Sequence, residues 1–170
     1  MTKSHMLQQS QELSFISQAF IALRITENYF AKIGFTHPII DEFFYHLWEL
    51  PQLQSPQEFS QWEARRGDLV DFGLTDDLPD DLEGVLALTP LDEEQLFKII
   101  EAPVEILWGN FFSTPNQANT RELFENALNL AEKEGVIFPK LDPFLLSKWA
   151  DNNAWGKALS MDELTLWKNA

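Results

Sequence analysis

The chain has 170 residues, 45% of them apolar, with 27 Asp and Glu against 12 Lys and Arg and a net charge of −15. That length suits one domain with a sizeable core, and the 14 Phe, 6 Trp and 2 Tyr exclude a disordered acidic tail. The absence of cysteine removes disulfides, thiolate metal sites and a thiol nucleophile, and a pI near 4.4 opposes direct contact with nucleic acid or an anionic membrane, where positive charge must face phosphate.

Residues 1–10 are expected to be a flexible arm, and Ser4-His5-Met6 resembles a remnant of an expression vector. No apolar run follows basic residues as a secretory signal would require, so the expected location is the cytoplasm. The stretch Phe15–Arg24 is interrupted by Ser17, Gln18 and Arg24, and it is far short of the ~20 residues of a membrane span. Leu13, Ile16, Phe20, Leu23, Phe30 and Ile33 recur at helical spacing and predict a helix from about Gln11 to Ile33, stopped by Gly34. A second helix is expected from Pro38, in the first-turn position that proline favours, to Pro51. Ser55-Pro56-Gln57-Glu58 reads as a capping box for a helix through Trp62 to about Arg66.

From Gly67 to Thr89 the pattern loosens around Gly73, Pro79 and Gly84, and one or two short helical segments are expected among turns. Thr89-Pro90-Leu91-Asp92 starts a helix over Glu93–Glu101, which Pro103 is expected to break. Val104–Phe112 is too short an apolar run for periodicity to decide between helix and buried strand, although helix is preferred. A helix over about Gln117–Glu134 should end at Gly135, and Asp142-Pro143 should open another through Leu146 and Trp149. Ser160-Met-Asp-Glu163 is a second capping box, at the start of the last helix. The expected architecture is an all-α bundle of seven or eight helices in a single domain, with room for one short strand pair.

The charge is unevenly placed. Residues 68–105 hold 12 acidic residues and only Lys98 as a base, a net −11, whereas residues 1–67 and 106–170 each carry −2. First-turn acids such as Glu93 and Glu94 complement a helix dipole. Asp76, Asp77, Asp80 and Asp81 are expected in a loop, without that compensation, and tethered to the core by Leu78, Leu82 and Val85. An anionic patch held in a fixed place suits a basic protein partner, because complementary charge steers association and selects partners.

Other chemistries lack their signatures. An EF-hand beginning at Asp76 would need a ligand at Leu78, glycine at Asp81 and glutamate at Ala87. His37 and His46 are nine residues apart and fall on opposite sides of a helix, so each face supplies at most two metal ligands where a catalytic zinc needs three. His37 is better placed as a cap before Pro38. No Gly-x-Ser-x-Gly and no glycine-rich phosphate loop occurs, so neither a catalytic centre nor a cofactor is expected. Most aromatics sit at core spacing, while Trp62, Phe72, Trp155 and Trp167 are less well explained by periodicity.

The acidic block Asp68–Glu105, together with Glu134-Gly-Val-Ile-Phe-Pro139 and Asn153-Ala-Trp-Gly156, gives the chain a character that resembles bacterial toxin-immunity proteins of the contact-dependent growth inhibition type. That resemblance implies a cytoplasmic, helical protein that binds and blocks a cognate toxin domain, often a basic nuclease; it assigns no individual residue a role. On this reading Asp76, Asp77, Asp80, Asp81 and Glu83 supply charge complementarity, Asp68, Asp71, Asp92, Glu93 and Glu94 extend it, and Trp62 and Phe72 are apolar anchors. An alternative reading pairs Glu42 with His46 as an acid/base or metal site. A third makes the chain a scaffold or adaptor whose acidic face serves solubility.

Overall fold

The computed structural model describes all 170 residues and holds nine α-helices, with short 3-10 turns between some of them and no sheet. The expected flexible arm is instead helical. Thr2 accepts the His5 N–H and starts α1 (Lys3–Gln9), which packs on a later helix and buries Met6 completely. A 3-10 turn over Ser10–Glu12 separates α1 from α2 (Phe15–Ile33), so the long first helix starts later than its periodicity suggests. Ser14 caps α2 by accepting the Ser17 N–H, and Gly34 ends it in the left-handed conformation at φ +68°. Every residue from Phe15 to Leu23 is buried, which marks α2 as a central helix covered on all sides.

His37 caps α3 (Pro38–Glu49), its Nδ1 accepting the Ile39 N–H at 3.1 Å. Ser55 caps α4 (Pro56–Ala64), but the expected reciprocal bond is displaced by one residue: Glu58 accepts from the Gln54 N–H at 2.8 Å. The acidic stretch contains two short helices, α5 (Asp68–Gly73) and α6 (Asp80–Leu86). Then α7 (Glu93–Phe111) runs without interruption through Pro103, which corrects the expected break and bears out the preference for helix over Val104–Phe112. Pro103 leaves the Ile99 carbonyl without its helical donor, at a cost of about 3 kcal/mol. Burial of Leu96, Ile99, Ile100, Val104, Ile106 and Leu107, each contributing about 1.5–3 kcal/mol, outweighs it.

Asn116 and the left-handed Gly135 bound α8 (Gln117–Glu134). The helix expected after Asp142 is only a 3-10 turn over Asp142–Leu146. Its chain is pulled out of helical form by pairing with the start of α2: Ser14 N–H donates to the Ser147 carbonyl, and Trp149 N–H to the Glu12 carbonyl. The expected strand pair is reduced to one isolated antiparallel bridge, Leu13 with Lys148. Ser160 and Glu163 make the full capping box of α9 (Met161–Lys168).

Helices α2, α7 and α8 pack mutually at the centre, with α5 against α7, α3 against α5 and α1 against α8. One continuous core of 44 buried hydrophobic residues results. No helix is long and apolar enough to cross a membrane.

Where Ser14, Ser147 and Gly156 meet, only the smallest side chains fit. The Ser14 and Ser147 hydroxyls are 2.8 Å apart, and a Cβ on Gly156, whose φ is +75°, would lie 1.9 Å from Ser147 Oγ. Gly84 has nothing within 4 Å of such a Cβ and lies within α6. Gly156→Ala is therefore expected to destabilise the fold by about 2–4 kcal/mol, while Gly84→Ala stabilises it by about 0.5–1 kcal/mol. Paired urea denaturation curves check both signs.

Candidate functional site

The acidic stretch is built from three helix starts. Asp68 and Asp71 fall in the first turn of α5, and Asp80, Asp81 and Glu83 in that of α6. Asp92 caps α7 ahead of Glu93 and Glu94, in a capping box with Gln95. The expectation that Asp80 and Asp81 sit in a loop without dipole compensation is thereby corrected, because carboxylates at a helix N-terminus offset its unpaired N–H groups. Only Asp76 and Asp77 remain in a loop, as expected, where the Asp76 side chain accepts the Asp77 N–H at 2.8 Å and the preceding Thr75 adopts φ +79°.

Asp68, Asp76, Asp77, Asp80, Asp81, Glu83, Asp92, Glu93 and Glu94 are all exposed. Asp71 is half-buried and accepts from Arg66 Nε at 2.7 Å, and Glu94 pairs with Lys98 at 3.3 Å; the others have no cationic side chain within 4 Å. Leu78 and Leu82 are buried and Val85 half-buried beneath them, as the tether requires.

Trp62 and Phe72 do not belong to any exposed surface, which corrects their assignment as partner-binding anchors. Trp62 is wholly buried, donates from Nε1 to the His46 carbonyl at 2.7 Å, and stacks on the His46 ring at 4.5 Å with 1° between planes. Phe72 is 3% exposed and packs edge-on against Phe97. Trp167 is likewise buried, and Trp155 is half-buried against Phe15, Phe59 and Phe111. The large apolar side chain that does stand free within the acidic stretch is Leu88, which is 88% exposed.

Glu42 and His46 do not assemble into a site. Glu42 points into solvent, whereas His46 is buried with Nε2 lacking any hydrogen-bond partner, and no group of three His, Asp or Glu side chains could hold a metal ion. The charges that His46 feels are those of Glu49, Arg65 and Glu63, and burial is the dominant influence, holding the imidazole below its ordinary value.

Two depressions escape the sequence pattern because each draws residues from distant segments. One of about 720 Å³ lies among Phe59, Phe111, Phe112, Trp155 and Lys157. The other, of about 410 Å³, lies between α2, α7 and α8 and presents Tyr29, Lys98, Glu101, Asn126, Lys133 and Glu134 around an apolar floor. No sequence motif links these positions; the nearest signal is that Glu101 falls close to the apolar stripe of α7.

The chain matches no family model, no curated protein and no solved structure.

Because the fold holds His46 below the ordinary imidazole value near 6.5, the unfolded chain binds its proton more readily. The stability due to neutral His46 is full above that value and is lost as pH falls below it. Burial raises the Glu101 and Glu105 carboxyls, which act in the opposite sense. The difference between the native protein and His46→Phe isolates the histidine: between pH 7 and pH 5 the variant is expected to lose less stability than the native chain, as measured by thermal melting across that range.

Proposed function

We propose that this chain is a non-enzymatic binding protein that neutralises a basic protein partner, most concretely an immunity protein that blocks a cognate bacterial toxin in the cytoplasm. The observation that carries this reading is the exposure of nine carboxylates between Asp68 and Glu94, eight of them without a cation within 4 Å, in a chain already at −15. Helix dipoles offset part of that density, but a partial charge of about +0.5 at each N-terminus does not balance the three acids at the start of α6 or of α7, and Asp76 and Asp77 lie outside any helix. The remainder leaves net self-repulsion that a cationic surface would relieve on binding.

Asp76, Asp77, Asp80, Asp81 and Glu83 form the centre of the proposed interface, and Asp68, Asp71, Asp92, Glu93 and Glu94 its extension. Leu88 replaces Trp62 and Phe72 as the apolar anchor, being an exposed aliphatic side chain that stands between Glu83 and Asp92 in the chain. The mechanism is occlusion. The acidic face attracts the partner's substrate-binding surface, and the packed helices behind it hold that surface covered without any chemical step.

Capture from lysate at low and high salt identifies the basic partner, and co-expression then shows whether this chain abolishes that partner's toxicity. With the purified pair, Asp76→Lys, Asp77→Lys, Asp80→Lys and Asp81→Lys combined are expected to slow association by about tenfold or more at low salt, and far less once the Debye length falls to about 3 Å near 1 M salt. Stopped-flow association rates measure this. A partner that is not toxic, or a rate indifferent to the four reversals, overturns the reading.

A further inference from the structure

The cleft between α2, α7 and α8 has the composition of a small-molecule site rather than of a packing defect. Its floor is aliphatic, with Ile99, Ala102, Leu123, Ala127 and Leu130, and its volume of about 410 Å³ lies within the range of ligand pockets. Two of its polar groups are left without protein partners. Tyr29 is 3% exposed, yet its hydroxyl takes part in no hydrogen bond with the protein. Glu101 is half-buried, and its carboxyl has neither a hydrogen bond nor a cation within 4 Å.

The nearby cations do not answer that need. Lys98 and Lys133 also line the cleft, but each is already paired, Lys98 with Glu94 at 3.3 Å and Lys133 with Glu134 at 3.9 Å, and both side chains are at least two-thirds exposed. Asn129 is occupied by Lys3, whose Nζ donates to its Oδ1 at 2.9 Å. The Tyr29 hydroxyl and the Glu101 carboxyl open onto the cleft, where solvent or the polar head of a ligand can reach them.

We infer that this cleft binds a small organic ammonium ion, its charged head on the Glu101 carboxylate and the Tyr29 hydroxyl and its apolar body along Ile99, Ala102, Leu123, Ala127 and Leu130. The sign of the ligand follows from the lining. An organic anion would meet the Glu101 carboxylate, which has no ion pair, in a chain of net −15, with only exposed, already paired lysines to receive it. Burial pushes the Glu101 carboxyl up, with Lys98 offsetting this only in part, and pushes the Tyr29 hydroxyl up further under the influence of Glu134. The phenol therefore stays neutral and serves as a hydrogen-bonding group beside a carboxylate that gains from a nearby cation. This site stands apart from the proposed protein interface and does not depend on it.

The test uses the whole chain and three probes with the same six-carbon body: n-hexylammonium, n-hexanol and n-hexanoate. Backbone amide shifts in NMR spectra are followed through titration. Hexylammonium is expected to saturate shifts at Ile99, Glu101, Ala102 and Ala127 with an affinity of about 1 mM, as befits a fragment of this size, and hexanoate to leave them unmoved. Glu101→Gln should weaken binding by about tenfold and Tyr29→Phe by a few fold, with Glu101→Asp intermediate. Asp80→Asn with Asp81→Asn should change nothing, which separates the cleft from general attraction to a polyanion. Equal response to all three probes, insensitivity to Glu101→Gln, shifts confined to residues 76–94, or no saturable shift at all would each overturn the proposal. Should Glu101→Gln fail to fold, the order of the three probes on the native chain decides.

Discussion

The first turn of α2 sits in the core with backbone N–H groups that a helix cannot satisfy for itself, and the way they are satisfied organises both ends of the chain. Ser14 supplies one acceptor from its own side chain, to the Ser17 N–H. Two more come from far along the sequence: the Ser147 carbonyl accepts from Ser14 N–H at 3.0 Å, and the Ala154 carbonyl from Phe15 N–H at 3.1 Å. Ser17 Oγ donates to the Phe144 and Ser147 carbonyls, so buried hydroxyls serve the same seam. To present those carbonyls, the segment must give up helical form and pass through Asn152, Asn153 and Ala154 with positive φ. Asparagine tolerates that conformation, whereas alanine does so at a cost of about 1–2 kcal/mol. The buried Ala154 and its hydrogen bond to Phe15 hold it there.

Once α2 is fixed in this way, its remaining flanks are available to α7 and α8, and the three helices define the core. The same arrangement explains how α7 carries Pro103 in its interior: a helix packed from several directions can forgo one backbone hydrogen bond. It also explains the cleft. Tyr29 of α2, Glu101 of α7 and Glu134 of α8 line it where the three helices meet, beside an aliphatic floor.

The acidic stretch follows a different logic. Three helices begin within 26 residues of chain, at Asp68, Asp80 and Glu93, and each start accepts carboxylates favourably. Much of the charge is thus explained locally, helix by helix. What the dipoles do not explain is the near absence of bases, since Lys98 is the one base among 12 acids over residues 68–105 and Arg66, just outside, pairs only with Asp71 of them. That imbalance is where a functional reading has purchase. α7 joins the two proposed surfaces, with its capping residues Asp92 to Glu94 ending the acidic stretch and Gln95, Lys98 and Glu101 lining the cleft within its first three turns.

Local rules were enough for the sequence to announce the all-α class, the caps at His37, Ser55 and Ser160, the left-handed stops at Gly34 and Gly135, and the tethering of the acids by Leu78 and Leu82. Each of these depends on a residue and its neighbours within about one helical turn, so no knowledge of the fold is needed to read them. Long-range partners decided the rest. α1 is ordered because Met6 finds a pocket, the stretch after Asp142 is not a full helix because α2 claims its carbonyls, and α7 survives Pro103 because other helices pack against it. Trp62 and Phe72 illustrate the same division. Their spacing leaves open whether they face solvent or core, and only the arrival of His46, Trp108 and Phe97 on their faces makes them interior residues. The cleft at Tyr29 and Glu101 belongs wholly to the tertiary structure, because its lining is drawn from three helices and is written in none of them alone.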